Sequence, residues 1–184
     1  METRRLPNIL ITGTPGTGKS TTAHLLQEKV AGLTHIEIGK LVKEQHLHNG
    51  WDEEYQSYIL DEDRICDAIE DQMDAGGVVV DYHGADLFPE RWFDLVLVLR
   101  SDNSVLYQRL ENRGYAPRKL TENVDAEIMQ VVLDEAKEAY REEIVVELRS
   151  NTLEDLESNV ERAAAWVQQW CHSSSSSPNA EGGL

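Results

Sequence analysis

Gly13-Thr14-Pro15-Gly16-Thr17-Gly18-Lys19-Ser20 fits the phosphate-loop pattern Gly-x-x-x-x-Gly-Lys-Ser/Thr at every fixed position, close to the start of a 184-residue sequence. Each fixed position has a physical task. Gly13, Gly16 and Gly18 let the backbone curl around an anion, so that successive N–H groups, that of Thr17 among them, face the α- and β-phosphates of a nucleoside triphosphate. Lys19 reaches the β- and γ-phosphates, and the Ser20 hydroxyl is placed to ligate Mg²⁺. The flanks separate this reading from a chance glycine-rich turn. Asn8 to Thr12 is a short apolar run suited to a buried strand, and Ser20 to Val30 has the character of a helix, so the order is strand, loop, helix.

Working outward, Thr34 to Ile38 reads as a second strand, with a helix opening at Gly39 and a turn at Asn49-Gly50-Trp51-Asp52. Ile65, Ala68, Ile69 and Met73 are spaced as on a helix, which Gly76-Gly77 stops. Val78 to Val80 then gives an apolar strand ending in Asp81, and Trp92 to Leu99, with Phe93 and Leu95 to Leu99 around Asp94, another apolar run ending in Arg100. Strands of near-continuous apolar character separated by helices predict a parallel sheet covered on both faces. One long helix is expected from Thr121 to about Glu143, with Val124, Ile128, Val131, Val132, Leu133 and Ala136 as its apolar stripe. Ile144 to Leu148 reads as the fifth strand because β-branched residues concentrate there. A last helix begins at Thr152, capped with Asp155. On it Trp166 and Trp170 serve either packing or docking, packing being the commoner use of large aromatics. Ser173 to Leu184 is low in complexity and expected to be disordered.

The length suits one domain. The formal charge is −17 and the pI about 4.6, an odd balance for a protein holding a polyanion, so positive charge must be concentrated at the site. Acids gather in Asp52 to Asp63 and again from Glu122 to Glu161. That surface opposes direct nucleic-acid binding and attracts a basic protein; the plainer alternative is a set of solvated helix faces. Cys66 and Cys171 are too far apart in sequence for metal-ligand spacing, and a reducing intracellular compartment fits them. No apolar run approaches the ~20 residues that span a bilayer, so a membrane role is not expected. No Asn/Thr-Lys-x-Asp stretch occurs, which argues against a guanine-reading switch.

Three further features point to catalysis. Val78-Val79-Val80-Asp81 delivers an acid to the carboxyl edge of the sheet, where Asp81 can share the Mg²⁺ shell with Ser20. His83, two residues on, points the same way if the strand continues, bringing an imidazole toward the γ-phosphate; the alternative is a turn histidine bonded to backbone. Arg109 and Arg113 lie four apart on a helix and face the Gly114-Tyr115-Ala116-Pro117 loop. They suit a lid that swings guanidinium groups over a triphosphate, or else an exposed face with ion pairs to Glu111 or Asp102.

Taken with the phosphate loop, Tyr58 to Arg64, Val80-Asp81-Tyr82-His83-Gly84, Phe88 to Phe93 and Arg109-Leu110-Glu111-Asn112-Arg113-Gly114-Tyr115 resemble the adenylate kinase isoenzyme 6 family, the coilin-interacting nuclear ATPases. The resemblance spans residues 6 to about 171. It implies an α/β, three-layer P-loop nucleoside monophosphate (NMP) kinase fold over residues 1–172, with a five-stranded parallel sheet in the order 2-3-1-4-5. It also implies an NMP-binding segment near 37–60 and a short lid near 112–122. The family's activities are ATP + AMP to two ADP and ATP hydrolysis, and its role lies in small-ribosomal-subunit maturation beside a basic ribosomal protein, in nucleus and cytoplasm. By match to the family pattern Gly16, Gly18, Lys19, Ser20, Thr21 and Arg113 contact the nucleotide. Lys19, Asp81, His83, Arg109 and Arg113 are the catalytic candidates, ATP and Mg²⁺ the expected cofactors, and a monomer the expected state. One departure stands out: where adenylate kinases read Gly-Asp-Leu and then an arginine, this sequence has Gly39-Lys40-Leu41-Val42-Lys43. Lysine is a point charge that cannot grip phosphate bidentately, which weakens the expected hold on the NMP.

Overall fold

A computed structural model describes residues 4–175. The elements run β1 (Ile9–Thr12), α1 (Lys19–Lys29), β2 (Thr34–Glu37), α2 (Ile38–Gln45), β3 (His48–Asp52), β4 (Ser57–Leu60), α3 (Glu62–Ala75) and β5 (Val78–Asp81). They continue with β6 (Leu95–Arg100), α4 (Asn103–Asn112), α5 (Pro117–Ile128), α6 (Val131–Ala139), β7 (Val145–Arg149) and α7 (Leu153–Ser175).

Five strands form a parallel sheet in the order β2-β5-β1-β6-β7. Counted along the sheet's own strands this is 2-3-1-4-5, as expected. The period-two alternation of strand side chains divides the core. Ile9 and Ile11 of β1 pack with Val79, Leu97 and Leu26 and with Ala163, Ala164 and Val167 of α7. Leu10, between them, joins Val80, Val96 and Val98 on the opposite face, with Ile65, Ile69 and Met73 of α3 and Leu133 and Ala136 of α6. Every residue of β1 and β5 is buried, which is why both read as unbroken apolar runs. Asn8 fixes the start of β1: its amide donates to Met73 O and Trp92 O at 2.7 and 3.0 Å and its oxygen accepts from Val78 N at 3.1 Å.

Two expectations are corrected. Asn49 to Asp52 is not a turn; it belongs to β3, which pairs antiparallel with β4 as a two-stranded hairpin outside the main sheet, and the turn falls after Asp52. Asp52 Oδ1 accepts from Glu54 N and Tyr55 N at 2.8 and 3.0 Å, a side-chain turn that the Asn-Gly pair masked in the sequence. The long helix from Thr121 to Glu143 is instead α5 and α6, broken at Gln130, whose φ of 59° is left-handed. The break rotates the expected stripe, leaving Ile128 52% and Val131 38% exposed while Glu127 is buried.

α7 starts with the expected cap: Thr152 Oγ1 accepts from Asp155 N at 3.1 Å and Asp155 Oδ2 from Thr152 N at 3.2 Å. Trp166 packs against the core beneath this helix. The helix carries the chain through Ser173–Ser175, and the rest of the expected tail lies outside the described residues. No described helix is long and apolar enough to cross a membrane.

Candidate active site

The phosphate loop joins β1 to α1 at the carboxyl edge of the sheet. Gly13 has φ +147°, and a Cβ there would stand 2.6 Å from Leu99 O and 2.7 Å from Thr17 Oγ1, so only glycine lets the loop leave β1 this close to β6. Gly16, at φ +94°, rests on Leu106 and Leu110 of α4. Thr17 donates from both its N–H and its hydroxyl to Thr14 O, at 3.2 and 2.8 Å, closing the curl. Gly18 stands at the N-cap of α1 and no side chain caps the helix, so its first N–H groups face the cradle, the position that suits a phosphate. Ser20 and Thr21 follow in the first turn, both exposed.

Lys19 is half-buried and donates to Thr14 O at 3.1 Å. Burial pushes its pKa down to about 8; Asp81 and Glu127 oppose that shift and Arg113 adds to it. The structure thus gathers Lys19, Asp81 and Arg113 within electrostatic reach of one another. Asp81 ends β5, its carboxylate 4% exposed. Its Oδ2 lies 3.4 Å from His35 Nε2, inside ion-pair range but misaligned, and neither atom has a hydrogen-bond partner. A buried carboxylate with unspent acceptor capacity fits a cation. Among the described residues no cluster of three or more His, Cys, Asp or Glu would hold a metal unaided. Mg²⁺ would therefore be held by Asp81 and Ser20 with oxygens of the nucleotide, the usual arrangement for this hard, strongly hydrated ion.

The strand stops at Asp81, so His83 enters the cleft through a bend and not by strand alternation. Thr12 Oγ1 donates to Gly84 O at 2.8 Å and Tyr140 Oη to Ala85 O at 2.6 Å, pinning the segment that carries it. The imidazole packs on Tyr82 at 4.4 Å between ring centroids. Although exposed at the mouth of the cleft, His83 is crowded by the walls of the recess. Loss of hydration, then the Lys19 ammonium, pushes its pKa down to about 4.

The two arginines part ways. Arg109 is held by four acceptors: Gly16 O at 3.1 Å, Ser101 Oγ at 3.2 Å, and Ser150 O and Asn151 O, both at 2.9 Å. So placed, it braces the phosphate loop against the connection from β7 to α7 and does not swing as a lid residue; ion pairing to Glu111 or Asp102 is not its role either. Arg113, one turn on at the exposed end of α4, is the guanidinium that bears on Lys19.

Beside this donor site lies a recess of about 290 Å³ lined by Ile38, Gly39, Val42 and Lys43 of α2, Trp51, Ser57, Tyr58 and Leu60 of the hairpin, and Tyr82 and His83. Trp51 meets Tyr58 edge-on at 5.1 Å. Lys43 faces this recess, whereas Lys40 is exposed and lies 3.8 Å from Glu44. A second recess of about 360 Å³ runs between hairpin and α5 past Pro15, His83, Tyr115 and Lys119. His83 lines both.

A family profile described as an AAA domain matches residues 9–130. The adenylate kinase isoenzyme 6 homolog of Dictyostelium discoideum is 57% identical over 167 residues, covering 91% of this chain and 95% of the relative. That of Caenorhabditis elegans is 54% identical over 163 residues, covering 88% and 89%. The chain belongs to the adenylate kinase isoenzyme 6 family. It is a P-loop nucleotide kinase, and the distant likeness of its fold reaches a Bacteroides thetaiotaomicron shikimate kinase at TM-score 0.62 and 17% identity, covering 89% of this chain and 99% of the other.

Several residues of this kinase's site escaped the sequence reading. Thr14 and Glu127 are joined by a 2.6 Å hydrogen bond, yet Glu127 reads in sequence as one more acid on a solvated helix. Trp51 was hidden by the mistaken turn, and Tyr58 entered only with the family resemblance, although the run Tyr58-Ile59-Leu60 of aromatic and branched residues was a strand signal.

Proposed function

We propose that the kinase transfers the γ-phosphoryl group of ATP to AMP, giving two ADP, and hydrolyses ATP when the acceptor recess is empty of nucleotide. The observation that carries this reading is His83, which lines both the recess beside α2 and the channel past the phosphate loop. Donor and acceptor meet at one wall.

The triphosphate lies in the Gly13–Ser20 cradle, its charge met by backbone N–H groups, the end of α1 and the Lys19 ammonium. AMP enters between α2 and the hairpin, its base against Trp51 and Tyr58 and its phosphate toward Lys43. Mg²⁺ supplies charge neutralisation and orientation of the phosphates when bound. In-line attack by an AMP phosphate oxygen asks little covalent work of the protein, so positioning and charge stabilisation dominate. Arg113 is the mobile positive charge that meets the charge developing on the transferred group. The Tyr55 to Lys119 walls of the channel exclude water when AMP is present. Without AMP, water occupies that position, and the His83 imidazole, neutral at pH 7 because its pKa is pushed down to about 4, accepts its hydrogen bond.

ADP formation and phosphate release from ATP, with and without each NMP, test this directly. His83→Gly is expected to lower hydrolysis more than AMP phosphorylation, since AMP brings its own attacking oxygen; equal losses would make His83 part of the shared frame.

We propose further that the protein acts in small-subunit maturation in nucleus and cytoplasm, its ATP cycle switching the binding of a basic ribosomal protein. The charge of −17 supports this, with Glu142, Glu143, Glu154 and Glu157 all exposed. Glu147 serves otherwise, pairing with Arg100 at 3.2 Å. Reversing the four exposed acids is expected to slow association and flatten its salt dependence with ATP turnover intact; a salt-independent association rate by stopped flow would remove the electrostatic partner.

A further inference from the structure

Glu127 lies in the last turn of α5, is 2% exposed, and has both oxygens occupied by donors from three residues in two parts of the chain. Oε2 accepts from Thr14 Oγ1 at 2.6 Å, and Oε1 accepts from Arg100 Nε at 2.5 Å and from Ser101 N at 3.1 Å. Arg100 also donates to Glu127 O at 2.9 Å. A carboxylate is taken out of water at a cost, and an apolar side chain would fill the same space without it, so its presence calls for a reason beyond packing.

That reason lies in what Thr14 does next. Its carbonyl receives the Lys19 ammonium at 3.1 Å and both donors of Thr17, so the carboxylate fixes the residue on which the catalytic lysine rests. The other end of α5 touches the acceptor hairpin: Arg118 Nη2 lies 2.9 Å from Glu54 Oε1, and Lys119 Nζ donates to Gln56 O at 3.1 Å. One twelve-residue helix thus spans from the acceptor wall to the phosphate loop. The exposed pairs at its start are easily broken, while the buried carboxylate at its end holds fast.

We propose that Glu127 is a positioning residue for phosphoryl transfer: through Thr14 it holds the phosphate loop and the Lys19 ammonium in register with α5, the helix that walls the channel beside the loop and touches the acceptor hairpin. The inference rests on the nucleotide-kinase reading of the same site. Thr14→Val removes only the hydroxyl and keeps the shape. It is expected to weaken ATP binding and lower kcat about tenfold each for transfer and for hydrolysis, with the KM for AMP unchanged, because misplacing a reacting group slightly costs about that much. Thr14→Ser restores the hydroxyl and is expected to restore both constants. Because Glu127 acts through Thr14, Thr14→Val with Glu127→Gln is expected to lose no more than the worse single variant.

Kinetics well below the Tm, with the Kd for ATP measured by calorimetry, separate the outcomes. If Thr14→Val lowers the Tm but leaves the Kd for ATP and kcat of the folded enzyme unchanged, the carboxylate only stabilises the fold and the inference is wrong. Additive losses in the double variant also overturn it, since the residues would then act apart. Failure of the unsubstituted protein to bind ATP would instead overturn the nucleotide-kinase reading, and the inference with it.

Discussion

The donor and acceptor sides of this cleft are built by opposite means. The phosphate loop is seated at the end of β1, the central and fully buried strand of a five-stranded sheet, and braced from behind by Arg109, Glu127 and Ser150, whose Oγ donates to Thr17 O at 2.6 Å. The acceptor wall is a two-stranded hairpin outside that sheet, with Trp51 45% and Ile59 48% exposed. A lone hairpin is marginally stable in water, and this one leans on α2, α5 and its own ring contacts. On the proposed reading, the difference teaches that the triphosphate meets a braced loop whereas the acceptor meets a hairpin held largely by exposed contacts, which would place discrimination between acceptors on that hairpin.

The sharpest way to break that contrast is Lys19→Ala. Loss of the ammonium is expected to lower both transfer and hydrolysis by more than about a hundredfold, or about 2.7 kcal/mol of barrier, at unchanged fold. Activity retained within tenfold would show that the loop does not hold the reacting phosphates.

The two arginines sharpen it further. Arg113→Ala is expected to leave the Tm within about 1 °C while lowering kcat about a hundredfold, the effect of removing one preorganised donor. Arg109→Ala is expected to lower the Tm by roughly 5 °C, because it strands buried carbonyls. Calorimetry beside steady-state kinetics reads both, and an exchange of the two phenotypes would reverse the assignment.

Lys19 also gives the donor side a pH signature. Its pKa in the free protein is pushed down to about 8 by burial, and a bound triphosphate raises it again, so binding takes up a proton above pH 8. ATP affinity is therefore expected to hold steady below pH 8 and to weaken by up to about tenfold per unit above it. A Kd for ATP that stays flat to pH 9 would break this.

On the acceptor side the expected effects are smaller. Trp51→Ala should raise the KM for AMP about fivefold, the worth of one half-exposed aromatic contact, without a matching loss in the KM for ATP. Smallest of all, the His83 imidazole is expected by NMR to stay predominantly neutral between pH 7 and pH 5, since its pKa is pushed down to about 4. A midpoint near 6.5 would mean that the recess does not strip its hydration.

The donor side was legible in the sequence because its signals are local. Gly13 to Ser20 needs only backbone freedom and a following helix, and β5 announces itself as an apolar run with one acid at its end. The hairpin was misread because Asn49-Gly50 carries turn chemistry that the strand overrides, with Gly50 at φ +127° inside β3. The α5–α6 break was invisible because no Gly or Pro marks it; Gln130 takes a left-handed backbone under tertiary constraint.

By itself, then, the sequence determined the sheet, its order through the family likeness, the triphosphate cradle and the acid beside it. Each depends on residues within a few positions of one another or on runs that must leave water whatever surrounds them. Only the tertiary structure decided which of two arginines one turn apart is free, and which of many glutamates is buried. Arg109 and Arg113, or Glu122 and Glu127, carry the same charge in the sequence; their roles differ because distant chain segments bring acceptors to one and donors to the other.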